Sequence, residues 1–222
     1  MSLKNKKVAV AIAGIDVNIP NWEKIIWGDP KNGVFGRSSR VLTIAHDLNA
    51  DLLIFNTAAS KTVDGILESE YTRQFTLDHL TEVFAENTPE YIFSKQLLEE
   101  AFVDTESINT LTKAQVAVRE CIRRDFALLI FVSDETHSPR MLRDLIIAKG
   151  TAPLQVGVLV SDESFGSPSF IAETPINTTD FNISLSPELQ PQNIFRRTLK
   201  VSEAKRAEFF NELDQLLKKY NV

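Results

Sequence analysis

One cysteine, Cys121, stands in a chain of 222 residues. That excludes an internal disulfide and any metal centre built on cysteine clusters. Histidine is nearly as scarce: of His46, His79 and His137, the first two fall inside helical patterns, so no metal site is expected. No apolar run approaches the ~20 residues needed to cross a bilayer, and a membrane is not an expected partner. Basic residues are outnumbered, 24 against 30 acidic ones, for a net charge of −6. A protein that reads the phosphate backbone needs a cationic stripe to replace condensed counterions. The only dense basic groups here are Lys4, Lys6, Lys7 and Arg119, Arg123, Arg124, which read as solvated surface charge. Nucleic acid is therefore not expected either. The familiar glycine devices are missing too: no G-x-G-x-x-G, no G-x-x-x-x-G-K-[ST], no G-x-S-x-G, and no EF-hand spacing of acids.

What remains is ordinary globular material, 43% hydrophobic and 24% charged. No repeat, low-complexity tract or Gly/Ser linker divides the chain, so a single domain over 1–222 is expected. The opening "MSLKNKKVAV" is basic and then apolar. Its apolar part is short and runs into Asp16 without a clear cleavage site, which fits a first strand better than a leader. A cytoplasmic protein is the expectation.

Four stretches read as strands: residues 7–17, 50–56, 125–133 and 153–161. Each is a continuous apolar run, the mark of a strand covered on both faces in a parallel sheet. Helical patterns lie between them, over 37–50, 66–86 and 110–124, with 139–149 after the third strand and 87–100 as an added helical excursion. The tail 202–220 is amphipathic behind a Ser202 cap and is expected to dock on the domain. Strand and helix in alternation predict right-handed crossovers and a three-layer α/β/α sandwich.

In such a sheet, ligands bind beyond the carboxyl ends of the strands. Gly14 and Asp16 follow the first strand; Asn56, Thr57, Ser60 and Lys61 follow the second. After the third comes "SDETHSPR", residues 133–140. Pro139 suits a first helical turn because its missing N–H costs nothing there, and the free N–H groups of that turn favour an anion. Arg140 adds a planar fork but opposes the macrodipole, a conflict that a bound anion would relieve. Spacing alone leaves two roles open for Ser133, His137 and Arg140: gripping a ligand, or capping the helix and pairing with an acid. Ser107, Asn109 and Thr110 open a second helix, and Glu68, Ser69, Glu70 and Arg73 a third, where Glu70 and Arg73 can pair at i,i+3. The segment before the first helix carries both tryptophans, Trp22 and Trp27. They would either shut a lid over a planar ligand or anchor the segment to the body.

These clusters, in this order, resemble the YdcF/SanA/ElyC-like family over roughly residues 7–160. Its Ser-Glu pair matches Ser69 and Glu70. Its acidic-x-x-Ser-x-x-Thr segment matches Asp104, Ser107, Asn109 and Thr110, and its Ser…His-x-x-Arg matches Ser133, His137 and Arg140. Departures are Asp104 where the family often has Glu, Thr112 and Lys113 where it commonly has Glu-Asn, and "NTAASKTVDG" in place of a glycine-rich turn. The resemblance implies a Rossmann-like fold and, for one branch, S-adenosylmethionine binding; other branches are membrane-anchored.

The resulting expectation is a domain that binds a small anionic or nucleotide-like metabolite, with S-adenosylmethionine the named candidate cofactor. Ser133, His137 and Arg140 would hold the anionic end, helped by Ser107 and Thr110. Asp16 and Glu70 would meet ribose hydroxyls or an amino group. The alternative is a hydrolase or group-transfer enzyme in which His137, with an ordinary pKa near 6.5, works with a carboxylate such as Glu70 or Asp16. That reading requires a carboxylate or the reacting atom within about 3 Å of the ring, directly or through one water. A second alternative is an interaction protein without a small ligand. Oligomeric state is not readable from the sequence.

Overall fold

The computed structural model describes residues 6–135 and 137–162. The helix expected over 202–220, and the single-domain expectation as far as residue 222, lie outside the described residues.

The first strand, β1 (Val8–Ala13), is buried along its whole length. Side chains alternate across a strand, and here the two faces meet different cores. Val8, Val10 and Ile12 pack with Val41, Leu42 and Ala45 of α2 (Arg37–Asp47) and with Leu97 and Leu98 of a later helix. Ala9, Ala11 and Ala13 pack with Ala114, Ala117, Val118, Cys121, Met141 and Leu145 on the opposite face. The three alanines leave room for those helices to come close to the sheet. Each large aliphatic side chain sealed into either core contributes roughly 1.5–3 kcal/mol by area.

The remaining elements follow the expected alternation. β4 (Leu52–Asn56) leads to α3 (Glu68–Asp78), then α4 (Pro89–Glu99) and β5 (Phe102–Asp104). α5 (Thr110–Arg123) leads to β6 (Leu128–Ser133), α6 (Ser138–Lys149) and β7 (Gln155–Val160). All neighbouring pairs in the five-stranded sheet are parallel, in the order β5-β4-β1-β6-β7. The fold is Rossmann-like. Helix starts are well signalled: Thr88 Oγ1 accepts from Tyr91 N at 3.2 Å ahead of Pro89, and Asn109 and Thr112 form a reciprocal capping box. Among the described residues no helix is long and apolar enough to cross a membrane.

The segment between β1 and α2 is built, not loose. It holds α1 (Trp22–Trp27) and a small hairpin of β2 (Gly28–Asp29) and β3 (Val34–Phe35). Of the two roles open to the tryptophans, the structure shows anchoring: both are 4% exposed. Trp22 Nε1 donates to Ile15 O at 3.1 Å, and its ring packs on Tyr71 and Phe75. Trp27 Nε1 donates to Glu82 Oε2 at 2.8 Å. The hairpin is fastened to the far edge of the sheet. Asp162 N donates to Phe35 O at 2.8 Å, and Phe35 N to Asp162 Oδ2 at 2.9 Å. Arg40 reaches the same carboxylate at 2.7 Å while lying over the Phe35 ring.

Candidate functional site

From β1 the chain moves to β4 and β5 on one side, then crosses back to β6 and β7 on the other. The connections therefore part between the carboxyl ends of β1 and β6, the switch point where open α/β sheets take ligands. A buried network of charged and polar groups occupies that place.

Arg37, the first residue of α2, is buried with its guanidinium turned onto the end of β1. Nη1 donates to Ala13 O and, at 3.3 Å, to Gly14 O; Nη2 forms an ion pair with Asp134, just after β6. The pair thus spans the switch point. Asp134 Oδ1 accepts from His137 N at 2.8 Å, which fixes the approach to α6. The His137 ring is held between two hydroxyls. Nδ1 shares a hydrogen bond with Ser133 Oγ and Nε2 with Thr110 Oγ1, each at 3.1 Å. Burial, then the Arg140 and Arg37 charges, hold this imidazole well below its usual pKa, with Asp134 pulling the other way. It is neutral near pH 7, so one of its nitrogens donates and the other accepts.

Lys113 reaches from α5 to the same point, its Nζ donating to Gly14 O at 2.9 Å. Burial brings its pKa down to about 8; Glu68 opposes this, and Arg37 and Arg140 add to it. Glu68, the first residue of α3, is 1% exposed. Ser60 Oγ donates to Oε2, and Oε1 has no hydrogen-bond partner. Burial pushes this carboxyl up, against the pull of Lys113 and the Ser60 bond. Asp104, at the end of β5, accepts from Asn56 Nδ2 at 2.9 Å, from Ser107 Oγ, and from Glu106 N and Ser107 N at 2.8 and 3.0 Å.

Neither a protein-family model nor a curated protein nor a solved structure matches this chain.

Of the residues singled out from the sequence, Gly14, Thr110, Ser133 and His137 meet in this network. Arg140 is buried beside it, close enough to affect both His137 and Lys113. Its own pKa falls to about 10 through burial, with Asp144 and Asp134 as the opposing charges. Asp104 and Ser107 join through Asn56, whose amide also approaches Lys113 O at 3.5 Å. The others have local duties. Ser69 Oγ donates to Asp104 O at 2.7 Å, tying α3 to β5. Asn109 caps α5. Asp16 Oδ1 accepts from Asn18 N and Nδ2 at 2.9 Å in a tight turn. Glu70 pairs with Arg73 at 2.6 Å, its side chain 43% exposed.

The carboxylate that turns inward from this helix is Glu68. His137 has hydroxyls as its ring partners among the described residues, and the neighbouring Asp134 carboxylate binds its backbone N–H instead. Arg37, Lys113 and Asp134 are groups that sequence reasoning gave no site role, and Glu68 was noted at the start of the third helix while the role went to Glu70. The signal for Arg37 was available: like Arg140, it is a cation opening a helix, directly after Gly36.

Proposed function

We propose that this domain binds a small anionic or nucleotide-like metabolite at the β1/β6 switch point, with S-adenosylmethionine a candidate, as the YdcF/SanA/ElyC-like resemblance implies. One observation carries the reading: three buried cations, Arg37, Lys113 and Arg140, converge beside the strand ends together with buried polar atoms that lack partners, Arg37 Nε and Glu68 Oε1. Burying a polar atom without a hydrogen bond costs about 1–3 kcal/mol, a cost that a ligand can offset. His137 serves as a neutral hydrogen-bonding wall, and the positive charge facing the anion comes from Arg140 and the start of α6.

The test is a thermal-shift panel of S-adenosylmethionine, nucleotides and sugar phosphates. A ligand at 100 times its dissociation constant adds about 2.7 kcal/mol. The hit should vanish in Arg140→Ala and weaken in His137→Ala. An unchanged response in both variants would remove the site assignment.

A second reading, a hydrolase or group-transfer enzyme, is favoured by the two hydroxyl–imidazole pairs. Thr110 and Ser133 stand 3.1 Å from Nε2 and Nδ1 of a neutral histidine, and whichever faces the unprotonated nitrogen lies at the distance at which a base can take a hydroxyl proton. Turnover of a chromogenic ester or phosphate that is lost in His137→Ala and in Thr110→Val or Ser133→Ala would favour catalysis. Turnover that survives those changes would exclude it.

A further inference from the structure

A neutral imidazole donates from one ring nitrogen and accepts at the other, and its partners decide which. The His137 ring meets two hydroxyls, Ser133 Oγ at Nδ1 and Thr110 Oγ1 at Nε2, each at 3.1 Å. The two are not equivalent. Ser133, the last residue of β6, is 0% exposed, and among the described residues Nδ1 is the one group that its Oγ bonds. Its backbone is fixed as well, since Ser133 O accepts from Ser161 N at 2.8 Å. Thr110 stands 9% exposed. It opens α5, so no carbonyl of that helix lies one turn behind it, and among the described residues its Oγ1 bonds Nε2 alone.

Were Nδ1 protonated, its N–H would point at Ser133 Oγ, and the Ser133 hydrogen would be sealed in the interior without an acceptor. A buried donor left unmade sets the balance against that tautomer by about tenfold or more. Protonated on Nε2 instead, the ring accepts from Ser133 and donates to Thr110 Oγ1. The hydrogen left over is then the one on Thr110, the more exposed of the two hydroxyls. We infer, on the reading of the site proposed above, that Ser133 is a positioning residue that sets the His137 tautomer, and that Thr110 Oγ1 is thereby presented as a hydrogen-bond donor to an oxyanion of the ligand, a phosphate or a carboxylate. An oxyanion is acceptor-only and takes that hydrogen. The same direction bears on the enzyme reading: the nitrogen able to take a proton faces Ser133, which solvent does not reach. Thr110 is then a donor to the ligand and not a nucleophile activated by His137.

Long-range proton–nitrogen correlation spectra of the isotopically labelled full chain near neutral pH read the tautomer directly, the His137 signals being identified by their loss in His137→Gln. The Nε2–H form should predominate, and Ser133→Ala should raise the Nδ1–H form about tenfold relative to it. A residue that merely filled space at that position would leave the ratio alone. An Nδ1–H ring in the unaltered protein overturns the inference, and misfolding of Ser133→Ala cannot hide that result. Calorimetric titration with inorganic phosphate, adenosine 5′-monophosphate and S-adenosylmethionine tests the donor, the first two offering a phosphate and the last a carboxylate. Thr110→Val should weaken the probes that bind by about ten- to a hundredfold, and Thr110→Ser should restore them. A loss confined to the phosphates or to S-adenosylmethionine names the group that Thr110 meets. Equal binding to Thr110→Val and to the unaltered protein overturns the donor role while the anionic ligand stands. If none of the probes binds, the metabolite reading falls and the donor role falls with it.

Discussion

Raising the pH through the alkaline range should strengthen this fold relative to one that lacks Lys113. Burial brings the Lys113 amine down to about 8 from an ordinary 10.5. Below about pH 8 both folded and unfolded chains hold the proton. Between about 8 and 10.5 the unfolded chain holds more of it, so stability rises with pH across that window. At 1.36 kcal/mol for each pH unit of separation, the rise is about 3 kcal/mol. Cys121 works in the opposite direction, since burial pushes its thiol up to about 12 from 9.0, and the folded chain then holds the extra proton. The measurement is therefore a difference. Urea unfolding of wild type and Lys113→Met is followed by tryptophan fluorescence, both indoles being buried in the described domain. The Cys121 contribution is common to the two proteins and cancels. The gap in unfolding free energy should move by about 3 kcal/mol in favour of wild type from about pH 7 to about pH 11. Parallel curves would refute the idea that Lys113 is charged and sealed from water.

Three other perturbations have worked signs. Gly14→Ala places a methyl 2.3 Å from Glu68 Oε1 and 2.8 Å from Asn56 O, a backbone atom with little freedom to retreat; denaturant unfolding should show a loss of about 1–3 kcal/mol. Arg37→Met breaks the buried ion pair with Asp134, so about 3–5 kcal/mol should go, and the double variant Arg37→Met, Asp134→Leu should recover a good part of it. The folded His137 resists protonation, so its contribution to stability is complete above about pH 6.5 and is lost as the pH falls toward the lower folded pKa. His137→Gln should flatten that acid-side loss in a pH series of melting curves.

The architecture was legible because β1, β4 and β6 are continuous apolar runs, as strands covered on both faces require. β7 has the same kind of run but stands at the edge of the sheet with Gln155, Leu159 and Val160 exposed, so the expected cover on both faces is not found there among the described residues. β5 escaped notice: three residues give no period, and its last, Asp104, is a polar site residue. α1 escaped for a related reason. "WEKIIW" buries Trp22, Ile25 and Ile26 at helical spacing with Glu23 and Lys24 exposed, but six residues are too few for a period to be read. The site was legible where chemistry clusters along the chain, as at Ser133 and His137. It was not legible at Glu68 and Lys113, because the rotation of a helix about its axis decides which charge goes inward. On α3 the buried positions are Glu68, Ser69, Thr72 and Thr76, a polar stripe, while Tyr71 and Phe75 pack sideways on Trp22. The hydrophobic pattern of that helix thus reports its contact with α1, and the face it turns to the candidate site is silent in any hydropathy reading.

The central place of β1 also orders events in time. Val8 pairs with Leu128, 120 positions later, whereas β4, its other neighbour, begins at Leu52. On a ribosome, one flank of the first strand stays open for on the order of ten seconds after the strand itself emerges, at ordinary rates of synthesis. During that wait a run of wholly apolar residues has half its backbone bonds unmade, and a nascent chain of this kind is a natural client for a chaperone. The switch point needs residues 133–140 as well as residue 14, so it is assembled only after β6 and the start of α6 are made. No amino-terminal fragment that stops short of α6 holds the site, so ligand binding by nested truncations would time the closing of the sheet.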